Sequence, residues 1–95
     1  MEEVNVKVLF VAQYKDGKKS SVKFAIENNS TKNQRGFLII DQWFDNNIPF
    51  VNITDDLIDV VLQGKIAYRK TYGENAKMKL VELYDEAGNN LLAWW

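Results

Sequence analysis

Residues 4–14 read VNVKVLFVAQY, and the period of that stretch decides the fold. Val4, Val6, Val8, Phe10, Ala12 and Tyr14 fall on one face of an extended chain, while Glu3, Asn5, Lys7 and Gln13 fall on the other. Successive side chains of a strand point to opposite faces, so this alternation predicts a half-buried strand. Val22, Phe24 and Ile26 alternate with Lys23, Ala25 and Glu27 and predict a second strand. The connection carries Lys15-Asp16-Gly17-Lys18. A two-residue Asp-Gly turn would set Phe10 against Lys23. A three-residue loop, Lys15-Asp16-Gly17, sets Phe10 against Val22 and Val8 against Phe24, with Gly17 left-handed. A one-residue slip turns the whole apolar set to water, so the three-residue loop is the expected one.

Outward from this hairpin, residues 28–36 are polar and read as a loop. Residues 37–44 predict a third strand with Phe37, Ile39 and Trp43 on one face and Leu38, Ile40 and Phe44 on the other. A strand apolar on both sides is expected to be covered on both sides, by a curled sheet, a helix or a second copy. Asp45-Asn46-Asn47 is turn-like, and the Ile48-Pro49 step favours extended backbone at Ile48.

Thr54 then opens a predicted amphipathic helix that Gly64 stops. Thr54 is placed to cap it, Asp55 and Asp56 sit at the positive end of its dipole, and Asp55, Asp56, Asp59 and Gln63 share one polar arc. Residues 65–72 and 76–84 read as a further hairpin around Gly73-Glu74-Asn75. Residues 85–89 read as a turn and 90–95 as a last strand. The expected fold class is therefore α+β, mainly antiparallel β, in the order β-β-β-α-β-β-β, forming a small barrel or curled sheet with one helix. A helix between the third and fourth strands is also the order of the five-stranded OB barrel, so the fold is expected to be OB-like; the likeness is one of topology.

The chain's 95 residues predict a single domain, and 46% hydrophobic and 13% aromatic residues supply its core. It has no Cys and no His. Without them there is no disulfide framework, no Ser-His-Asp triad, no thiol nucleophile and no ordinary zinc site. The acidic start Met1-Glu2-Glu3 is unlike a secretory signal, and no apolar run is long enough to span a membrane, so a cytoplasmic protein is expected. A hydrolase working through carboxylates alone needs two acids facing one another in a cleft. The carboxylates here follow caps and turns instead. The expectation is a non-catalytic binding module with no cofactor.

The net charge of −1 hides segregation: residues 1–36 carry a balance of +3, residues 37–64 one of −5, and residues 65–95 one of +1. Two partners fit this pattern. The first is single-stranded nucleic acid. In the late hairpin a three-residue loop sets Tyr72 against Ala76, Lys70 against Met78, Tyr68 against Leu80, Thr71 against Lys77 and Arg69 against Lys79. Like charges opposed across strands are destabilising, and a bound anion would offset that. Arg69, Lys70, Tyr72, Lys77 and Lys79, joined by Lys19 and Lys23 of the first hairpin, are the candidate nucleic-acid-binding residues, with phosphates meeting bases and rings stacking. The second is a protein partner or a second copy of the chain, meeting Trp43, Asp55, Asp56, Asp59, Trp94 and Trp95, since large aromatics that cannot all face one core are enriched at interfaces. The Asp spacing lacks the Ca²⁺-loop pattern, and no metal is expected.

Overall fold

The computed structural model describes residues 2–27, 38–69 and 77–93. Within them the chain forms β1 (Glu2–Gln13), β2 (Ser20–Glu27), β3 (Leu38–Phe44), a short helix α1 (Ile48–Asn52), a 3-10 turn (Asp55–Leu57), β4 (Val61–Arg69) and β5 (Lys77–Tyr84). The strands make one antiparallel, curled, half-barrel sheet in the order β3-β2-β1-β4-β5. Its concave side holds the core: Val4, Val6, Val8, Val22, Phe24, Ile26, Leu62, Ile66, Leu80, Leu83 and, from the tail, Leu91. Fully burying a side chain of this size stabilises by about 1.5–3 kcal/mol. No helix among the described residues is long and apolar enough to cross a membrane.

The first hairpin follows the expected register in part. Val8 does lie opposite Phe24, and Gly17 has φ +70. Phe10, however, pairs with Lys23, because a bulge intervenes between Val8 and Phe10. An extra residue on one strand turns the following side chains over. Val4, Val6 and Val8 are therefore buried, while Phe10 is 60% and Tyr14 51% exposed. Past the bulge, Phe10 lies opposite Lys23 on the outer face and Val11 opposite the buried Val22.

The connection after β3 departs furthest from expectation. Ile48 is not extended but opens α1, with Pro49 in the first turn, where its missing N–H costs nothing. The Asn46 side chain accepts the Ile48 N–H at 3.0 Å, and the buried Ser20 hydroxyl donates to the Asn46 carbonyl at 2.9 Å, so the turn is fastened to β2. The helix expected from Thr54 to Gly64 does not form. Thr54 makes no side-chain cap to the backbone, and a single 3-10 turn follows. Asp59 then takes φ 62, and its N–H donates to the Val8 carbonyl at 2.9 Å. The β-branched Ile58, Val60 and Val61 favour extended backbone, and β4 begins at Val61. Gly64 is no helix stop: a Cβ there would stand 2.8 Å from the Glu82 carbonyl oxygen and 3.0 Å from Val6. Glycine lets β5 approach β4 closely where their register shifts.

Among the described residues β3 is an edge strand paired only to β2, and the gap between it and β5 is spanned by a side chain. The buried Gln42 carboxamide donates to the Leu80 carbonyl at 2.9 Å and accepts the Leu80 N–H at 2.9 Å. It serves β5 as a peptide group of a neighbouring strand would. The expected covering of both faces of β3 is not met: Ile39 and Trp43 are exposed on its outer side. The expected last strand is an isolated Tyr84–Asn90 bridge followed by a turn; Trp94 and Trp95 lie outside the described residues.

Replacing Gln42 by Leu keeps the volume but leaves two buried backbone groups of Leu80 without partners, so stability to urea should fall by about 2–4 kcal/mol. Gly64→Ala should cost about 1–3 kcal/mol, as overpacking against backbone does. Unchanged unfolding midpoints would show that neither contact closes the sheet.

Candidate functional site

The β-bulge in β1 gives the β1–β2–β3 meander an outer face with its own character. On it the register places Phe10 beside Lys23 and Asp41, and in the next rung Ala12 beside Ser21 and Trp43. Tyr14 follows at the end of β1, where its N–H donates to the Lys19 carbonyl at 2.7 Å and Gly17 donates to its own carbonyl. The loop is further pinned by the Lys18 N–H on the Asp16 carboxylate at 2.8 Å. Tyr14 and Trp43 meet edge to face, with ring centroids 5.4 Å apart and planes at 71°. Together with Lys19, Phe44 and Asp45 they line an open depression of about 280 Å³. Trp43 is 62% exposed despite this contact, so much of its indole is accessible to a planar ligand.

The expected basic residues distribute unevenly around this depression. Lys19 lines it and Lys23 lies on the same outer face near Phe10; both are exposed. Lys79 is exposed on β5, opposite Ala67 and not Arg69 as expected. The backbone register pairs Arg69 with Lys77, two residues off the expectation, because the pairing is centred one position earlier in the chain than expected. Like-charged residue types still face each other across the β4–β5 hairpin. Lys70 and Tyr72 lie outside the described residues, as do Trp94 and Trp95.

The acidic residues expected at an interface cluster elsewhere. Asp55 and Asp56 stand in the 3-10 turn, the Thr54 hydroxyl donates to the Asp56 carboxylate, and Asp59 follows, all three exposed. Among the described residues no group of three carboxylates is close enough to hold a metal ion. Asp85 accepts the Asn89 backbone N–H at 2.9 Å and the Asn89 side chain at 3.0 Å, which lowers its pKa below the usual carboxylate value. Both bonds serve the turn that brings Leu91 back onto Leu83.

Period-two reading missed Phe10, Tyr14 and Gln42 as exposed or bridging residues. The signal for Gln42 was present: it is a polar residue on the face of β3 that otherwise carries Ile40 and Phe44. The Tyr14–Trp43 contact had no signal, since it depends on the bulge. Comparison with family models, with curated proteins and with solved structures gave no match. The functional reading therefore rests on the residues themselves.

Tyr84 offers a check on the local geometry. Its hydroxyl donates to Glu82 Oε1 at 2.6 Å, and this bond, with some burial and the nearby negative charge, raises the phenol's pKa above its ordinary value. A raised folded pKa means that the bond's contribution is complete below the unfolded pKa of about 10 and is lost as pH rises through the folded one. In an absorbance titration one tyrosine should ionise after the others, and Glu82→Gln should return it toward them. Four superposed transitions in the parent protein would contradict the bond.

Proposed function

We propose that this protein binds single-stranded nucleic acid on the outer face of the β1–β3 meander. The observation that carries the reading is the depression in which the exposed indole of Trp43 and the ring of Tyr14 stand beside Lys19, with Lys23 and Phe10 further along the same face. Aromatic faces stack bases without regard to sequence, and nearby ammonium groups meet the phosphates. Strand order supports it as well. A β3-β2-β1-β4-β5 sheet with its helix between β3 and β4 has the order of an OB barrel, whose second and third strands and whose β1–β2 and β4–β5 loops hold oligonucleotides. In this chain those two loops carry Lys15, Lys18 and Lys19, and Lys70 and Tyr72. The role is one of holding a strand, with no chemistry done on it, and it suits a cytoplasmic protein.

Asp41 and Asp45 border the lysines and hold the local charge down, so affinity rests on stacking more than on counter-ion release. Oligothymidylate should quench tryptophan fluorescence. With Lys19 and Lys23 as the principal phosphate contacts, the log–log salt slope should be shallow, about −1.5. Trp43→Ala should weaken binding about tenfold or more, the worth of one stacked base. Joint Lys19→Ala and Lys23→Ala should flatten the salt slope while leaving the fold intact. No quenching at low salt would end the reading.

A second reading, self-association through β3, is favoured by the exposure of Ile39 beside Trp43 on an edge strand. Light scattering separates the two, since a monomer at all concentrations excludes it.

A further inference from the structure

β1 is longer than the strand that flanks it on one side. β2 pairs with it from Asn5 to Gln13, but β4 pairs only from Glu2 to Lys7. At the next residue the Val8 carbonyl takes the Asp59 N–H, and Ile58 makes a parallel bridge to Val8. Beyond Val8, no strand among the described residues lies against this side of β1. The bond from the Tyr14 N–H to the Lys19 carbonyl fixes the phase of the β1–β2 ladder. Antiparallel ladders alternate, so Phe10 and Ala12 turn their peptide groups to β2 while Val11 and Gln13 turn theirs to the open side.

That open side is the floor of a groove of about 460 Å³, walled by Leu9, Phe10, Phe50, Ile53, Asp55 and Ile58. Phe10 and Phe50 are large and exposed, and among the described residues no Lys or Arg lines the groove. Among the described residues Asp55 is the charged one that lines it, with Asp56 and Asp59 on the same connection.

We propose that this edge takes an extended segment of a partner protein by strand addition, its alternate apolar side chains resting on Phe10, Phe50 and Ile53 and a Lys or Arg meeting Asp55. Main-chain bonds to Val11 and Gln13 supply the pairing, and the pockets between alternate side chains supply selectivity. The carboxylate on the wall selects a basic segment over an acidic one. The groove adjoins the nucleic-acid face and shares Phe10 with it, but its test reads Val11, Gln13, Phe50 and Asp55, none of which the nucleic-acid reading uses.

The test has two arms on the intact chain. Amide hydrogen exchange of the free protein should find Val11 and Gln13 fast while Phe10 and Ala12 are slow. Selection of a random decapeptide library displayed on phage should then enrich sequences with alternating apolar residues and at least one Lys or Arg. Synthetic copies of the enriched peptides should slow exchange at Val11 and Gln13. Phe50→Ala and Asp55→Lys, both at exposed positions, should each weaken binding by about tenfold, equivalent to about 1.4 kcal/mol. Protection of Val11 and Gln13 in the free monomer would show the edge already covered by the chain itself and would overturn the proposal. So would a failure to enrich any peptide, enrichment of peptides indifferent to both substitutions, or protection that appears only on dimerisation.

Discussion

Two hydrogen bonds from one side chain hold this fold closed. A sheet that curls into a half barrel brings its first and last edges together, and each edge carries backbone groups that must find partners or water. β3 and β5 do not pair as strands, yet Leu80 is fully buried. Its N–H and C=O would be orphaned without the Gln42 carboxamide, which has one donor and one acceptor at the spacing of a peptide group. A hydrophobic residue at position 42 would fill the space and leave both groups unpaired. The seam therefore depends on a polar residue in an otherwise apolar row, and the core of Phe24, Ile26, Ile66 and Leu83 is sealed by it.

The same curl explains the two irregularities in the strands. β1 must pair with β2 and β4 while the sheet bends around it, and the bulge after Val8 is where the bend is taken. β4 and β5 shift register between Lys65 and Ile66, beside Gly64, whose missing Cβ admits the Glu82 carbonyl. Closure thus sets the face on which Phe10 and Tyr14 emerge. Straight, regular strands would have buried both with Val8.

This accounts for what could be read in the sequence and what could not. Strand identity in β1, β2 and β3, the Val8–Phe24 pairing and the left-handed Gly17 followed from local alternation and turn chemistry. Residues 54–64 misled because Leu57, Ile58, Val61 and Leu62 satisfy a helical period while Leu62, Gly64 and Ile66 satisfy a strand period, and short apolar runs allow both. Tertiary contacts chose between them: the Asp59 N–H on Val8 and the close approach at Gly64 are available only to the extended form. The lysines of the candidate site, Lys19 and Lys23, were legible from hairpin position. Its aromatic half was not, since Tyr14 meets Trp43 only because the bulge between Val8 and Phe10 turns it onto the outer face, and no local pattern gives that bulge's position. The two-residue error at Arg69 comes from the centre of the β4–β5 pairing, which sequence leaves open.

The connector from Ile53 to Val60 does more than join β3 to β4. As a helix from Thr54 to Gly64 it would have used its backbone N–H groups internally and could not have offered the Asp59 N–H to Val8. Instead α1 spans only Ile48–Asn52, and the connector's backbone meets β1 at Val8 before the chain enters β4. The acidic residues that would have been the polar arc of a helix are then displayed beside an uncovered strand edge. Charge segregation along the chain becomes charge segregation on the surface by this route, with lysines on the hairpin tip and carboxylates on the connector. The molecule measures 36 × 32 × 23 Å, several times the screening length of about 8 Å at physiological salt, so a partner at either place meets the local charge and not the net −1.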